Sequence, residues 1–263
     1  MPTMVSHGCS GVSGISHILV LGGTTEASAL VASLAERGLT ATLSYAGRVE
    51  RPKAQPVPVR IGGFGGIEGL ERYLREHRVT HLVDATHPFA ATMSAHALAA
   101  AQNTATPHIR LTRPPWQPAR GDRWQHAADI EAAVSALAGP PRRVMLALGR
   151  MHVNAFAVQG QHHYLLRFVD RPEQAPALPD HHLVVDRGPF TAEADTRLLR
   201  DHAIDLIVCK NAGGTGAEAK LIAARRLGVP VLMIDRPAPA RGKAVHHPGE
   251  VLRWLVHAAD RGV

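Results

Sequence analysis

The stretch ILVLGGTTEASAL, residues 18–30, sets four uncharged apolar residues against two glycines, two threonines and an acid, and then continues in residues that favour helix. A short, wholly apolar run that turns sharply into a helix is how a buried parallel strand feeds its crossover. The helix carries Leu30, Val31 and Leu34 on one face and meets its stop at Gly38. Read as a dinucleotide fingerprint from Gly22, the stretch puts Thr24 in the second glycine's place and Ala27 in the third's. Alanine is an accepted third residue. Threonine at the second is a departure, because its Cβ pushes a pyrophosphate outward, although the hydroxyls of Thr24 and Thr25 and the N–H groups of the helix start can still bind one. Glu26 in the first turn suits the helix dipole but opposes a phosphate, so its natural contact is a hydroxyl or an amide. On these residues alone, a phosphate seat and a merely structural turn stand level.

Outward from this stretch the chain alternates short apolar runs with amphipathic ones, the pattern of parallel sheets covered by helices. Strands are predicted at TATLSYAG, PVRIGG and VTHLVDAT, with helices at IEGLERYLREH and PFAATMSAHALAAAQNT. The segment TRPPWQPARGDRW, residues 112–124, holds three prolines and no periodicity, which places a domain boundary inside it. The alternation then restarts with strands at RVMLALG, HHYLLRFVD, HLVVDRG, IDLIVCK and VPVLMID, and closes on the helix PGEVLRWLVHAAD, which fits either domain. The predicted architecture is α/β. Two Rossmann-like domains, residues 17–115 and 116–263, each have a parallel sheet flanked by helices, with a ligand cleft between them. The first 16 residues, rich in Ser and Gly, read as a disordered leader.

Composition narrows the function. Aromatics are 4% of 263 residues, so base stacking is not the main business, and the net charge of +7 is spread over scattered arginines without a basic run of five. That argues against nucleic acid and leaves an anionic small molecule as a use for the charge. Two cysteines make no disulfide framework and fit a reducing, cytoplasmic setting. No apolar run reaches the roughly 18 residues of a membrane span. The histidines lack HExxH or Cys/His spacing, so no metal is expected. NAGGTG has no Lys-Ser or Lys-Thr after its last glycine and is not a P-loop.

Further signals sit at strand ends. The second strand ends in Ser44 where an NAD enzyme usually shows an acid, and Arg48 follows a few residues later; this favours the 2′-phosphate of NADP, with Arg48 as selector. RIGGFGG offers either a backbone approach to a ligand at Gly63 with Phe64 covering adenine, or a flexible turn. VDATHPFA puts Asp84, Thr86 and His87 at the carboxyl end of the fourth strand, beside the switch point where open sheets bind ligands, and Pro88 is expected to open the next helix. Asp84 is either a substrate contact or a cap.

The motifs GGTTEA, GGFGG, LVDATHPFA with Ser94, IRLTRPPW, DRGPF and VCKNAGGTGAEAKLIAARRLGVPVLMIDRP stand in an order that resembles the precorrin-6A reductases of cobalamin biosynthesis. The resemblance runs from His17 to Pro237. It implies NADPH-dependent reduction of one double bond of a polycarboxylate tetrapyrrole, precorrin-6A, to precorrin-6B. It assigns Gly22, Gly23, Thr24 and Thr25 to the cofactor phosphates, and Thr86, His87 and Pro88 to the nicotinamide end. Substrate carboxylates then fall to cations in the matching motifs, Arg113, Arg187, Lys210 and Lys220, with Gly188 and Asn211 beside them. His87 is the expected proton donor, ahead of Asp84, Tyr45 or water. The partners implied are the tetrapyrrole and transient contacts with neighbouring pathway enzymes, with no nucleic acid and no membrane. A non-catalytic NADP sensor, or a reductase of another anionic substrate, is the alternative; a sensor has no use for DRGPF and KNAGG.

Overall fold

The computed structural model describes residues 17–46, 54–238 and 241–259, and these divide into two units, 17–112 with 241–259 and 113–238. In the first unit the strands are β1 (Ile18–Leu21), β2 (Ala41–Tyr45), β3 (Val59–Ile61), β4 (His81–Asp84), β5 (His108–Leu111) and β12 (Ala244–Val245). They form one sheet in the order β12-β5-β4-β1-β2-β3, and every pairing is parallel. Alternation along β1 explains its two covered faces. Ile18 and Val20 pack with Leu30, Val31 and Leu34 of α1 (Thr25–Glu36) and with Val251, Trp254 and Leu255 of α8 (Pro248–Ala259). Leu19 and Leu21 pack with Leu70 and Leu74 of α2 (Gly66–Glu76) and with Ala97, Ala100 and Ala101 of α3 (Ala91–Asn103). Chain order reverses between β1 and β4, so their carboxyl ends bound the crevice where such sheets take ligands.

The second unit contains β6 (Trp124–Ala127), α4 (Ile130–Ser135), β7 (Arg143–Ala147) and α5 (Arg150–Val153), which runs into a 3-10 turn over Asn154–Val158. β8 (His163–Phe168), β9 (His181–Val185), α6 (Ala192–Asp201), β10 (Leu206–Lys210), α7 (Ala219–Leu227) and β11 (Val231–Ile234) follow. Its sheet, β6-β11-β10-β7-β8-β9, is also parallel throughout. With β7 counted as the first strand, this is the order of the first unit, and in both units no helix stands between the second and third strands among the described residues. The sixth strand and its helix come last in the first unit and first in the second.

The α/β class and the parallel sheets match the sequence reading, but the edges of both sheets differ from it. β5, β6 and β12 are absent from the predicted strands because they are short and polar: His108 and Arg110 interrupt β5, β6 reads Trp-Gln-His-Ala, and β12 is two residues long. The second domain, expected to run from 116 to 263, gives up its final segment. Arg110 N–H donates to Lys243 O and Thr112 N–H to Val245 O, both at 2.9 Å, so β12 closes the open edge of β5 and carries α8 onto α1.

Candidate functional site

The β1–α1 turn is built by three different constraints. A Cβ on Gly22 would stand 2.5 Å from Leu43 Cδ1, so this glycine lets the turn lie against β2. Gly23 has φ +122°, where side chains are strained, and nothing lies within 4 Å of where its Cβ would be, so a ligand can approach the backbone there. Thr24 is the N-cap of α1. Its Oγ1 accepts from Ala27 N–H at 3.1 Å and donates to Ala85 O at 2.9 Å. Thr24 therefore departs from the expected hydroxyl donor to phosphate: its one proton ties the turn to the chain leaving β4. What remains for an anion is backbone, since the first N–H groups of α1 have no intrahelical partner. Thr25 Oγ1 donates to Glu26 Oε2 at 3.2 Å.

That second chain is held from below. Asp84 Oδ1 accepts from Thr86 N–H at 3.1 Å and from Thr86 Oγ1 at 2.6 Å, and Thr86 Oγ1 lies 3.5 Å from Ser94 Oγ. Arg110 Nε stands 3.6 Å from Asp84 Oδ2, with the two side chains 10% and 2% exposed. Asp84 thus takes the capping alternative of the sequence reading: the carboxylate is buried and shapes the loop. Burial pushes the neighbouring His108 imidazole down, opposed by Asp84 and helped by Arg110, so the positive charge in this pocket of the sheet rests on Arg110. Pro88 lies in a turn, and α3 begins only at Ala91. His87 Nδ1 accepts from Phe89 N–H at 3.3 Å, and His87 O accepts from Ala90 N–H at 2.7 Å. A neutral His87 in this arrangement carries its proton on Nε2. The turn at Gly22–Glu26 and the loop at Thr86–Pro88 are thus brought together by one hydroxyl.

At the ends of β2 and β3 the structure shows a residue that sequence reading missed. Arg60 is the cross-strand partner of Ser44, and its Nη1 donates to Ser44 Oγ at 3.3 Å, while Nη2 donates to Gly63 O at 2.8 Å. Its guanidinium lies 3.8 Å from the centre of the Phe64 ring, and Tyr73 meets that ring edge-on at 5.2 Å. The glycine turn is therefore a shaped one, with Phe64 stacked on a cation. Arg48 lies outside the described residues.

In the second unit several expected substrate contacts are consumed by folding. Asn211 accepts from Trp116 N–H at 2.8 Å and donates to Trp116 O at 3.1 Å, so it mimics a strand pairing and does not project from β10. Lys220 is 4% exposed; its ammonium donates to Ala217 O and lies 4.7 Å from the Trp116 ring, and burial pushes its pKa down. Arg113 Nε donates to Ala212 O at 2.8 Å. Arg236, also missed, donates to Asn211 O, Arg113 O and Ala212 O at 2.8, 2.8 and 3.0 Å. A Cβ on Gly213 would fall 2.0 Å from Pro114 O, so the KNAGG loop is a crossing of two backbones that only glycine permits. Arg187 pairs with Asp170 at 2.7 Å on the surface beside Gly188, and Lys210 is half-buried at the end of β10. In the same unit Arg167 is ion-paired with Asp195 and stacks 3.9 Å from the Phe190 ring, which fixes the DRGPF segment. A charge inside an apolar strand was the available signal for Arg60, Arg110 and Arg167 alike.

Among the described residues no group of three or more His, Cys, Asp or Glu is placed to hold a metal ion, and no helix is long and apolar enough to cross a membrane. A glycine turn open at Gly23, feeding a capped helix at the switch point of a 3-2-1-4-5 sheet, is the plan of a Rossmann-like α/β protein. The family model "Precorrin-6x reductase CbiJ/CobK" matches residues 17–256, and the chain belongs to that family. The precorrin-6A reductase of Rhodobacter capsulatus is 54% identical over 252 residues, 95% of this chain and 100% of its own. The cobalt-precorrin-6A reductase of Priestia megaterium is 30% identical over 253 residues, 91% of this chain and 98% of its own. The solved structure of CobK precorrin-6A reductase matches with a TM-score of 0.89 at 53% identity, over 92% of this chain and 96% of that one.

Proposed function

We propose that the chain is a cytoplasmic precorrin-6A reductase that uses NADPH to reduce one double bond of the macrocycle, giving precorrin-6B. The observation that carries this reading is the pairing of an open glycine turn with a rigid loop bearing His87 at one switch point, in a chain of this family. The residues fit a dinucleotide: backbone at Gly23 and the N-terminal N–H groups of α1 meet the phosphates, with Gly22, Thr24 and Thr25 shaping that seat and Glu26 meeting a hydroxyl. When bound, the nicotinamide supplies a hydride to an electron-poor ring carbon. The chain's own work is orientation, and most of the rate advantage of such a transfer comes from it. Asp84 fixes Thr86, Thr24 fixes Ala85, and the loop they pin carries the His87 imidazole, which donates a proton to the reduced ring in its imidazolium form, the bond from Phe89 N–H forming on the neutral imidazole left behind. Arg187 and Lys210 supply positive charge for the substrate's carboxylates, and Arg113 adds its charge while its Nε stays bonded to Ala212 O.

The test mixes purified protein with NADPH and precorrin-6A and follows nicotinamide absorbance together with the tetrapyrrole spectrum. Coupled loss of NADPH and a shift of the macrocycle spectrum is the expected result. NADPH binding without reduction of the ring would transfer the chain to the sensor reading.

A further inference from the structure

We propose that Arg60, acting with Ser44, is the residue that selects NADPH over NADH by binding the 2′-phosphate of the adenosine ribose. The inference rests on the reading of the first unit as the dinucleotide seat.

Three observations lead to it. β2 and β3 pair in register so that Ser44 faces Arg60, and Ser44 also stands level with Leu21 at the end of β1. The end of the second strand is where sheets of this order hold the ribose of the adenosine half, and an NAD-selective protein puts a carboxylate there. This chain puts a hydroxyl, buried to 5% exposure, with a guanidinium against it at 3.3 Å. Second, among the described residues Arg60 has no carboxylate within ion-pair distance. Its acceptors are neutral: Ser44 Oγ and the carbonyls of Gly62 and Gly63. A half-buried guanidinium satisfied by neutral oxygens keeps its full charge for an incoming anion. Third, the side chain is fixed before any ligand arrives. The Phe64 ring lies 3.8 Å from it and the Tyr73 ring 5.3 Å, so ordering the arginine costs a phosphate little entropy. The hydroxyl adds a second contact, because Ser44 accepts from Arg60 and still has its own proton to donate to a phosphate oxygen.

The same geometry explains RIGGFGG. Gly62 and Gly63 turn their carbonyls onto the guanidinium. Gly69 lets helix α2 pack on the turn, since a Cβ there would stand 1.7 Å from Phe64 O. The turn is a holder for a cation, and the cation faces the position at which the two dinucleotides differ.

The experiment measures the affinities of NADPH and NADH, by protein fluorescence or calorimetry, for the wild-type chain and for Arg60→Gln, Arg60→Lys, Ser44→Ala and Arg48→Ala. Arg60→Gln should weaken NADPH by about tenfold to a hundredfold, the range of lost charge-assisted bonds, and leave NADH within about twofold. Arg60→Lys should recover part of the preference, and Ser44→Ala should cost NADPH only a few fold. Equal losses for both dinucleotides in Arg60→Gln, with an unchanged melting temperature, would overturn the assignment and leave the arginine a structural clamp. Preference lost in Arg48→Ala but intact in Arg60→Gln would also overturn it. A wild-type chain that binds neither dinucleotide would instead remove the reading on which the proposal rests.

Discussion

The two units share one strand order and use it differently. In the first, β1 ends in Gly22-Gly23-Thr24 and opens a 12-residue helix whose cap is also a tie to β4. In the second, β7 runs through Gly149 into a 4-residue helix with no side-chain cap, and Gly149 has an ordinary φ of −68°. The loops after the fourth strand differ in the same sense. The first unit spends a buried carboxylate, Asp84, to hold the loop's own N–H and hydroxyl, whereas the second uses Arg113 and Arg236 to consume the loop's carbonyls. A shared topology therefore supplies two crevices, but only the first opens on a positive-φ glycine turn and a side-chain-capped helix.

The largest test of that contrast lies in the buried ion pairs, one in each unit. Removing one partner of such a pair leaves an uncompensated charge and typically costs about 3–5 kcal/mol. Asp84→Leu and Asp195→Leu should each lower the urea midpoint by that order. Only Asp84→Leu should also abolish NADPH affinity in protein that is still folded, and Asp84→Leu with Arg110→Met should regain much of the stability. If Asp195→Leu removes NADPH binding and Asp84→Leu does not, the division of labour is reversed.

A smaller effect separates the two first turns. Gly23→Ala forces a side chain into a left-handed backbone and should cost about 1–3 kcal/mol, together with NADPH affinity. Gly149→Ala adds a Cβ with nothing within 4 Å and should leave stability within about 0.5 kcal/mol. Comparable losses at both positions, by thermal melting, would make the turns equivalent.

The smallest effect is in acid. His81 and His108 in the first unit have pKa values pushed below 6.5 by burial, so the fold holds them neutral. The unfolded chain takes up protons first as pH falls. Their contribution is therefore full above 6.5 and is lost below it, until the depressed folded values are reached. Trp254 lies edge-on to His81 at 5.4 Å and reports this unit. In a Trp116→Phe, Trp124→Phe chain its unfolding temperature should be flat above neutral pH and fall below 6.5. A flat profile through pH 5 would show that the imidazoles stay unprotonated in both states or are paired in neither.

The chain's grammar was readable where burial is complete. β1, β4, β7 and β10 are nearly continuous apolar runs, and the sequence announces them. The rims were not, because β5, β6 and β12 take their stability from a neighbour's edge and need no apolar pattern of their own. The same holds for the site. Gly22, Gly23 and the Thr86–Pro88 loop follow from strand ends, but whether a hydroxyl or a charge is free depends on partners far along the chain. Thr24 finds Ala85, Asp84 finds Arg110, and Asn211 finds Trp116 across 95 residues. Lys220 sits in a motif that resembles a substrate loop, yet it is folded under Trp116 and donates to Ala217 O.

The late arrival of β12 and α8 also sets an order of synthesis. The edge of the first sheet and the lid over α1 are made from residues 244–259, after all of 113–238 has been translated. On the ribosome the second unit can close while the first unit still shows an unpaired edge and an uncovered apolar helix, so chains halted before residue 244 carry the sticky surface at their beginning.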